Sequence, residues 1–200
     1  MTDSTPRRDS FWRSWLIWTA GFLAFPIAGV AGRLVAGRVD SPTAALVAGL
    51  VTGAVIGAGQ CLVSRGRLQL VPWVLATALG MGLGLLLGAT VVGFQTSLAD
   101  VAVMGALTGV VLGVAQALAL PAETRRRWLW AAAMPPLWAL GWTVTTLAGI
   151  PVEEQITIFG ATGAATFSAL TGLLLYGLLL PRPTTSAGTA PVDASVGGKV

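Results

Sequence analysis

The chain has no histidine, and it has one cysteine, one lysine and one tyrosine among its 200 residues. The missing histidine removes the commonest general base and the commonest zinc and haem ligand together. A lone Cys61 cannot close an internal disulfide, so the compartment has to be read from topology. Charge is scarce too: 10% of residues are charged against 54% apolar, and long stretches carry no charge at all. Such a chain has too little polar surface to cover a fold in water. The apolar stretches hold no deep ionisable residue, which excludes the usual relay of an ion-coupled carrier. They also hold no Ser–His pair, no paired-aspartate motif for prenyl or phosphatidyl chemistry, and no metal-ligand cluster. No enzyme, cofactor or metal is therefore expected.

What is present is a series of apolar runs with small residues between them. Stretches of about 20 apolar residues match the roughly 30 Å of hydrocarbon that a helix must cross. Six such runs predict membrane helices over about 14–35, 43–63, 70–93, 100–120, 128–149 and 156–180. Ser41 followed by Pro42, and Ser97 three residues before Asp100, read as helix starts. Pro121 and Pro181 read as stops, and Pro26 and the pair Pro135-Pro136 are expected to interrupt the first and fifth helices. The first run is too long for a secretory h-region and is expected to be retained.

The basic residues choose a direction. Ten lie on the N-terminal, second-loop, fourth-loop and C-terminal side, including Arg65, Arg67 and Arg125–Arg127; only Arg33 and Arg38 lie opposite. That bias places both termini in the cytoplasm. Trp12, Trp15, Trp73, Trp128 and Trp130 fall at the same ends, where an interfacial aromatic belt would sit. The basic pI of about 10.6 does not imply nucleic acid, because the charges are dispersed over short loops. Arginine outnumbers lysine eleven to one in an Ala- and Gly-rich chain, a bias typical of GC-rich bacterial genomes.

The sequence also repeats itself. "AGLVTGAVIGAGQ" at 48–60 aligns without gaps to "MGALTGVVLGVAQ" at 104–116, and "FSALTGLLLYGLL" at 167–179 is a fainter third copy. Trp18, Trp73 and Trp130 recur at spacings of 55 and 57, as do Gly29, Gly84 and Gly141. The unit is a helical hairpin written three times, over about 11–65, 66–122 and 123–181. With two crossings each, all three units enter the membrane in the same direction, related by an axis along its normal. The predicted architecture is thus an all-α bundle of six transmembrane helices in one domain, 11–181. Polar, disordered cytoplasmic tails flank it at 1–10 and 182–200.

Within the repeat, Gly49, Gly53 and Gly57 share one helix face, as do Gly105, Gly109 and Gly113, and Gly80, Gly84 and Gly88. Stripes of this kind let helix backbones approach closely in lipid, where apolar side chains alone give no reason to associate. Gln60 and Gln116 lie on these stripes, as interhelical glue or as ligand contacts; Leu179 takes the third equivalent place. Thr52, Thr108 and Thr171 are expected to bond carbonyls of their own helices. Trp138 and Trp142, one turn apart, either pack or wall a pocket for an apolar or aromatic ligand. Arg33 is expected to snorkel to water, and Glu153-Glu154 to complement a helix dipole.

The pattern Gly-x-x-x-Gly-x-x-Gln followed by Leu and a basic loop, as in "GAVIGAGQCLVSRGR", resembles a group of uncharacterised bacterial multi-pass membrane proteins. A Trp often follows the Gln in that group, where Cys61 and Ala117 stand here. The likeness covers about residues 45–145 and implies no activity. In size and helix number alone the chain is also similar to the substrate-binding subunits of energy-coupling vitamin importers. The expected function is that of a non-catalytic protein of the bacterial cytoplasmic membrane, working in the lipid bilayer by helix packing, as a homo-oligomer or with another membrane protein. The alternative is a binding or transport component that holds a small apolar ligand.

Overall fold

A computed structural model describes residues 11–124, 126–150 and 160–179. Every regular element among them is helical. Helix α1 (Phe11–Ala20) passes through a 3-10 turn (Gly21–Leu23) into α2 (Ala24–Ala36), and the three form one rod. Then follow α3 (Pro42–Ser64), α4 (Leu70–Val91), α5 (Leu98–Ala119), α6 (Arg127–Leu147) and α7 (Ala161–Leu174), the last extended by a π turn over Leu175–Leu179. Counting α1–α2 once, the described chain makes six rods.

Local chemistry sets the ends of these rods. The Ser41 hydroxyl accepts the Ala44 amide at the start of α3, with Pro42 in the first turn where its missing N–H is harmless. At α5, Ser97 and Asp100 form a reciprocal capping box. Gly37 ends α2 at φ +73°, a conformation that suits a residue without Cβ. The 3-10 turn lies where Pro26 cannot supply an N–H to the Phe22 carbonyl, so the first rod is interrupted as expected. Helix α6 is not: it runs unbroken through Pro135 and Pro136.

Each rod packs on the next in sequence, and α1 returns against α7, closing a ring. Glycine permits most of these contacts. A Cβ on Gly49 or Gly53 would stand 2.6 or 2.5 Å from the Met81 or Thr77 carbonyl of α4, and Gly57 is almost as tight against Val74 and Thr77. Gly80, Gly84 and Gly88 of α4 press in the same way on Leu112, Thr108 and Met104 of α5. Gly105, Gly109 and Gly113 of α5 meet Trp138, Met134 and Ala131 of α6. Pro135 leaves the Ala131 carbonyl without its helical donor, and this carbonyl faces Gly113, whose Cβ would come within 2.9 Å. Gly163 of α7 lies so close to Gly141 and Thr145 of α6 that a Cβ would overlap them.

Outside the ring the side chains are long and apolar: Leu34, Leu62, Val71 and Leu118 project from four different rods. The rods Phe11–Ala36, Pro42–Ser64, Leu70–Val91 and Leu98–Ala119 are each long and apolar enough to cross a membrane. Helix α6, with 21 residues, has the length, but its tryptophans, prolines and threonines dilute its apolar character. Helix α7 begins at Ala161, whereas the sequence predicts a start near 156; residues 151–159, with Glu153-Glu154, lie outside the described residues, as do both tails.

Candidate functional site

Four rods are apolar enough to span a membrane, consistent with an integral membrane protein, and large apolar side chains face outward while Gln60, Thr77, Gln116 and Thr171 are buried between the rods. Two regions follow one another along the axis of the ring. One, towards the Arg65–Arg67 loop, is filled; the other, towards Asp40, is hollow.

Three tryptophans fill the first region. Trp18, Trp73 and Trp130 are 2%, 0% and 0% exposed. Trp130 stacks edge-on to Trp18 and Trp73 at centroid separations of 6.5 and 5.9 Å, and Tyr176 lies edge-on to Trp18 at 6.1 Å. Each indole N–H reaches the preceding rod of the ring. Trp73 donates to Gln60 Oε1 at 2.9 Å and Trp130 to Gln116 Oε1 at 3.0 Å. Trp18 donates to Thr171 Oγ1 at 3.1 Å, so a threonine hydroxyl serves the third indole in place of an amide. The Gln116 amide donates to Thr77 Oγ1 at 3.0 Å and reaches Gln60 Oε1 at 3.5 Å. Trp15 adds a bond from α1 to the Ala169 carbonyl of α7 at 2.8 Å. Above this layer the Arg67 guanidinium sits 4.8 Å from the Tyr176 ring centroid. The bonds stitch the rods together among buried side chains at this end of the axis.

The placement of Trp73 and Trp130 corrects the expectation of an interfacial belt. Trp12 and Trp128, 62% and 56% exposed, face outward as a belt requires; Trp73 and Trp130 face the axis. Their end position looked the same in sequence, but the indole N–H needs an acceptor, and Gln60 and Gln116 supply it. Thr52 and Thr171 bond carbonyls of their own helices as expected. Thr108 does not: its Oγ1 is buried with no partner.

The second region contains two adjoining cavities of about 250 and about 110 Å³, which share Gly29, Thr52, Met81 and Trp142 in their walls. All six rods contribute to the lining. The smaller cavity, deeper along the rods at Phe25, Ile56, Trp138 and Phe167, also reaches Gly160 at the start of α7; the larger, outer one lies among Arg33, Arg38, Asp40 and Phe94. Trp138 and Trp142 lie 6.3 Å apart, and Trp138 lies 5.1 Å from Phe167. Gly29 keeps the space open, because a Cβ there would meet nothing within 4 Å. Together the volumes fall at the low end of the roughly 300–1,000 Å³ of small-molecule sites.

Two polar atoms in these walls are buried without a hydrogen-bond partner: Trp138 Nε1 in the deeper cavity and Arg33 Nη1 in the outer one. Arg33 does not simply snorkel, since one arm of its guanidinium is enclosed. The sequence gives only weak signs of this site. Trp138 and Trp142 are legible as a pair, but Arg33 looks like an ordinary helix-end arginine, and Phe25 and Phe167 carry no local mark. Among the described residues no group of three histidine, cysteine or acidic side chains could hold a metal ion. Comparison with protein-family models, with curated proteins and with solved structures gives no match for this chain.

Proposed function

We propose that the protein is a six-span, non-catalytic protein of the bacterial cytoplasmic membrane, built from three two-helix units, which holds a small, largely apolar molecule in the outward half of its bundle. The observation that carries this reading is the pair of adjoining cavities between the rods, the smaller walled by the aromatic side chains Phe25, Trp138, Trp142 and Phe167. The excess of arginine at the Arg65 end orients the larger cavity outward. The recurrence of the Trp–Gln bond supports the tandem units, since Gln60 and Gln116 serve indoles on the following rods.

Assembly through the glycine stripes is the weaker reading, because those stripes are already taken up between rods of one chain. The deciding experiment is a thermal-shift screen of the detergent-purified protein against small metabolites, run beside Gly29→Leu and Trp138→Ala. A ligand at 100 times its Kd stabilises by about 2.7 kcal/mol, a readable shift. Leucine at Gly29 should fill the cavity and abolish the shift while leaving the unliganded protein folded. Equal shifts in the wild type and Gly29→Leu would place the ligand elsewhere and end the cavity reading.

A further inference from the structure

We infer that the ligand is a monoanion with an apolar or aromatic body, its charged end held by Arg33 at the mouth and its body between Trp142 and Phe167. This deepens the cavity reading and rests on it. Three independent features converge. Among the described residues the charged side chains lining the outer cavity are Arg33, Arg38 and Asp40, an excess of one positive charge. Arg33 Nη1 is enclosed and donates to nothing, and an enclosed guanidinium N–H without an acceptor is costly. An anionic oxygen is the acceptor that satisfies it best, because the bond is charge-assisted.

The deeper cavity gives the other end of the molecule its character. Among the described residues, the wall side chains with a polar atom are Thr52, Thr145, Trp138 and Trp142. Thr145 Oγ1 donates to the Gly141 carbonyl and Thr52 to the Ala48 carbonyl, so both hydroxyl protons are committed. Trp138 is 5% exposed and its Nε1–H is uncommitted. A body that presents a π face or a single acceptor to this N–H fits; a second charge does not, because no charged side chain among the described residues lines that cavity. Arg33 lines only the outer cavity and Trp138 only the inner, with Gly29, Thr52, Met81 and Trp142 between them. One elongated molecule therefore touches both.

The test uses naphthaleneacetate and its neutral amide, which share a shape and differ in charge, by equilibrium dialysis against the full chain in phosphatidylcholine nanodiscs. Saturable 1:1 binding is expected for both, with the acid favoured roughly tenfold or more. Arg33→Gln should remove that preference by weakening the acid alone, Arg33→Lys should restore part of it, and Trp138→Phe should weaken both probes. Equal binding of acid and amide, unaltered by Arg33→Gln, would overturn the anion assignment while leaving the cavity reading in place. Binding of neither probe would overturn both. Phosphatidylglycerol in the discs separates the two sources of the anion. Loss of the acid's advantage there assigns Arg33 to a lipid headgroup, and its retention assigns Arg33 to a soluble monoanion.

Discussion

The indole N–H of Trp130 donates to Oε1 of Gln116 across 3.0 Å, at a place where both side chains are withdrawn from the surface. The same amide donates from its nitrogen to Thr77, so one glutamine ties α5 to α4 and α6 at once. Gln116→Leu is expected to destabilise the protein by about 2 kcal/mol, since it strands an indole N–H in the bundle. Trp130→Phe in the same background should cost little more, and a double-mutant cycle in sodium dodecyl sulfate unfolding measures the coupling. Additive losses would show that the bond contributes nothing.

Thr171 answers for the missing third glutamine. Thr171→Val keeps its shape and removes the acceptor of the Trp18 indole together with the hydroxyl's own bond to the Phe167 carbonyl, so a loss of about 1 kcal/mol is expected. Because this bond lies at the α1–α7 seam, where the ring closes, the first change should be earlier proteolysis of α1 rather than of α4. Limited digestion followed by mass spectrometry reads the order of cuts.

Glycines that look alike in sequence should respond in opposite directions. A Cβ at Gly109 would stand 2.6 Å from the Met134 carbonyl and 2.7 Å from the Pro135 Cα, both backbone atoms. Gly109→Ala should therefore cost about 2 kcal/mol through overpacking. A Cβ at Gly29 meets no neighbour, and Gly29→Ala should stabilise the helix by about 0.5–1 kcal/mol. Unfolding midpoints of the two variants in one detergent check the contrast, and an equal loss in both would contradict the packing described.

Topology is open to direct labelling. Cys61 is buried, so it should react poorly in the folded protein, and Cys61→Ala gives a clean background. Single cysteines at Asp40 and Gln95, exposed at the hollow end, should react with an impermeant maleimide in intact cells. Cysteines at Gln69 and Glu123, exposed at the filled end, should react only after the membrane is opened. Labelling of Asp40 and Gln69 from the same side would rule out the crossing between them.

Much of the helical layout was legible because its causes are local. Ser41-Pro42 and Ser97 with Asp100 mark helix starts wherever they occur, and the observed caps use those residues. The spacing of the glycine stripes is local in the same way, since it follows from the helical pitch alone. Pro135-Pro136 misled, because a break was expected from proline and α6 continues through both. The freed Ala131 carbonyl lies under Gly113 of another helix, a compensation no local pattern could announce.

The sequence by itself determined that this chain forms helices long and apolar enough to cross a membrane, where α3 and α5 begin, and which faces carry only small residues. Those properties depend on hydrophobic length, capping chemistry and side-chain size, all carried by residues near one another in the chain. Tertiary structure alone decided that Trp73 turns inward while Trp128 turns outward, that Thr171 takes the indole of Trp18, and that Gly29 borders empty space. Those outcomes depend on which rods become neighbours once the ring closes. They join residues as far as 153 positions apart, whose mutual distance no local rule encodes.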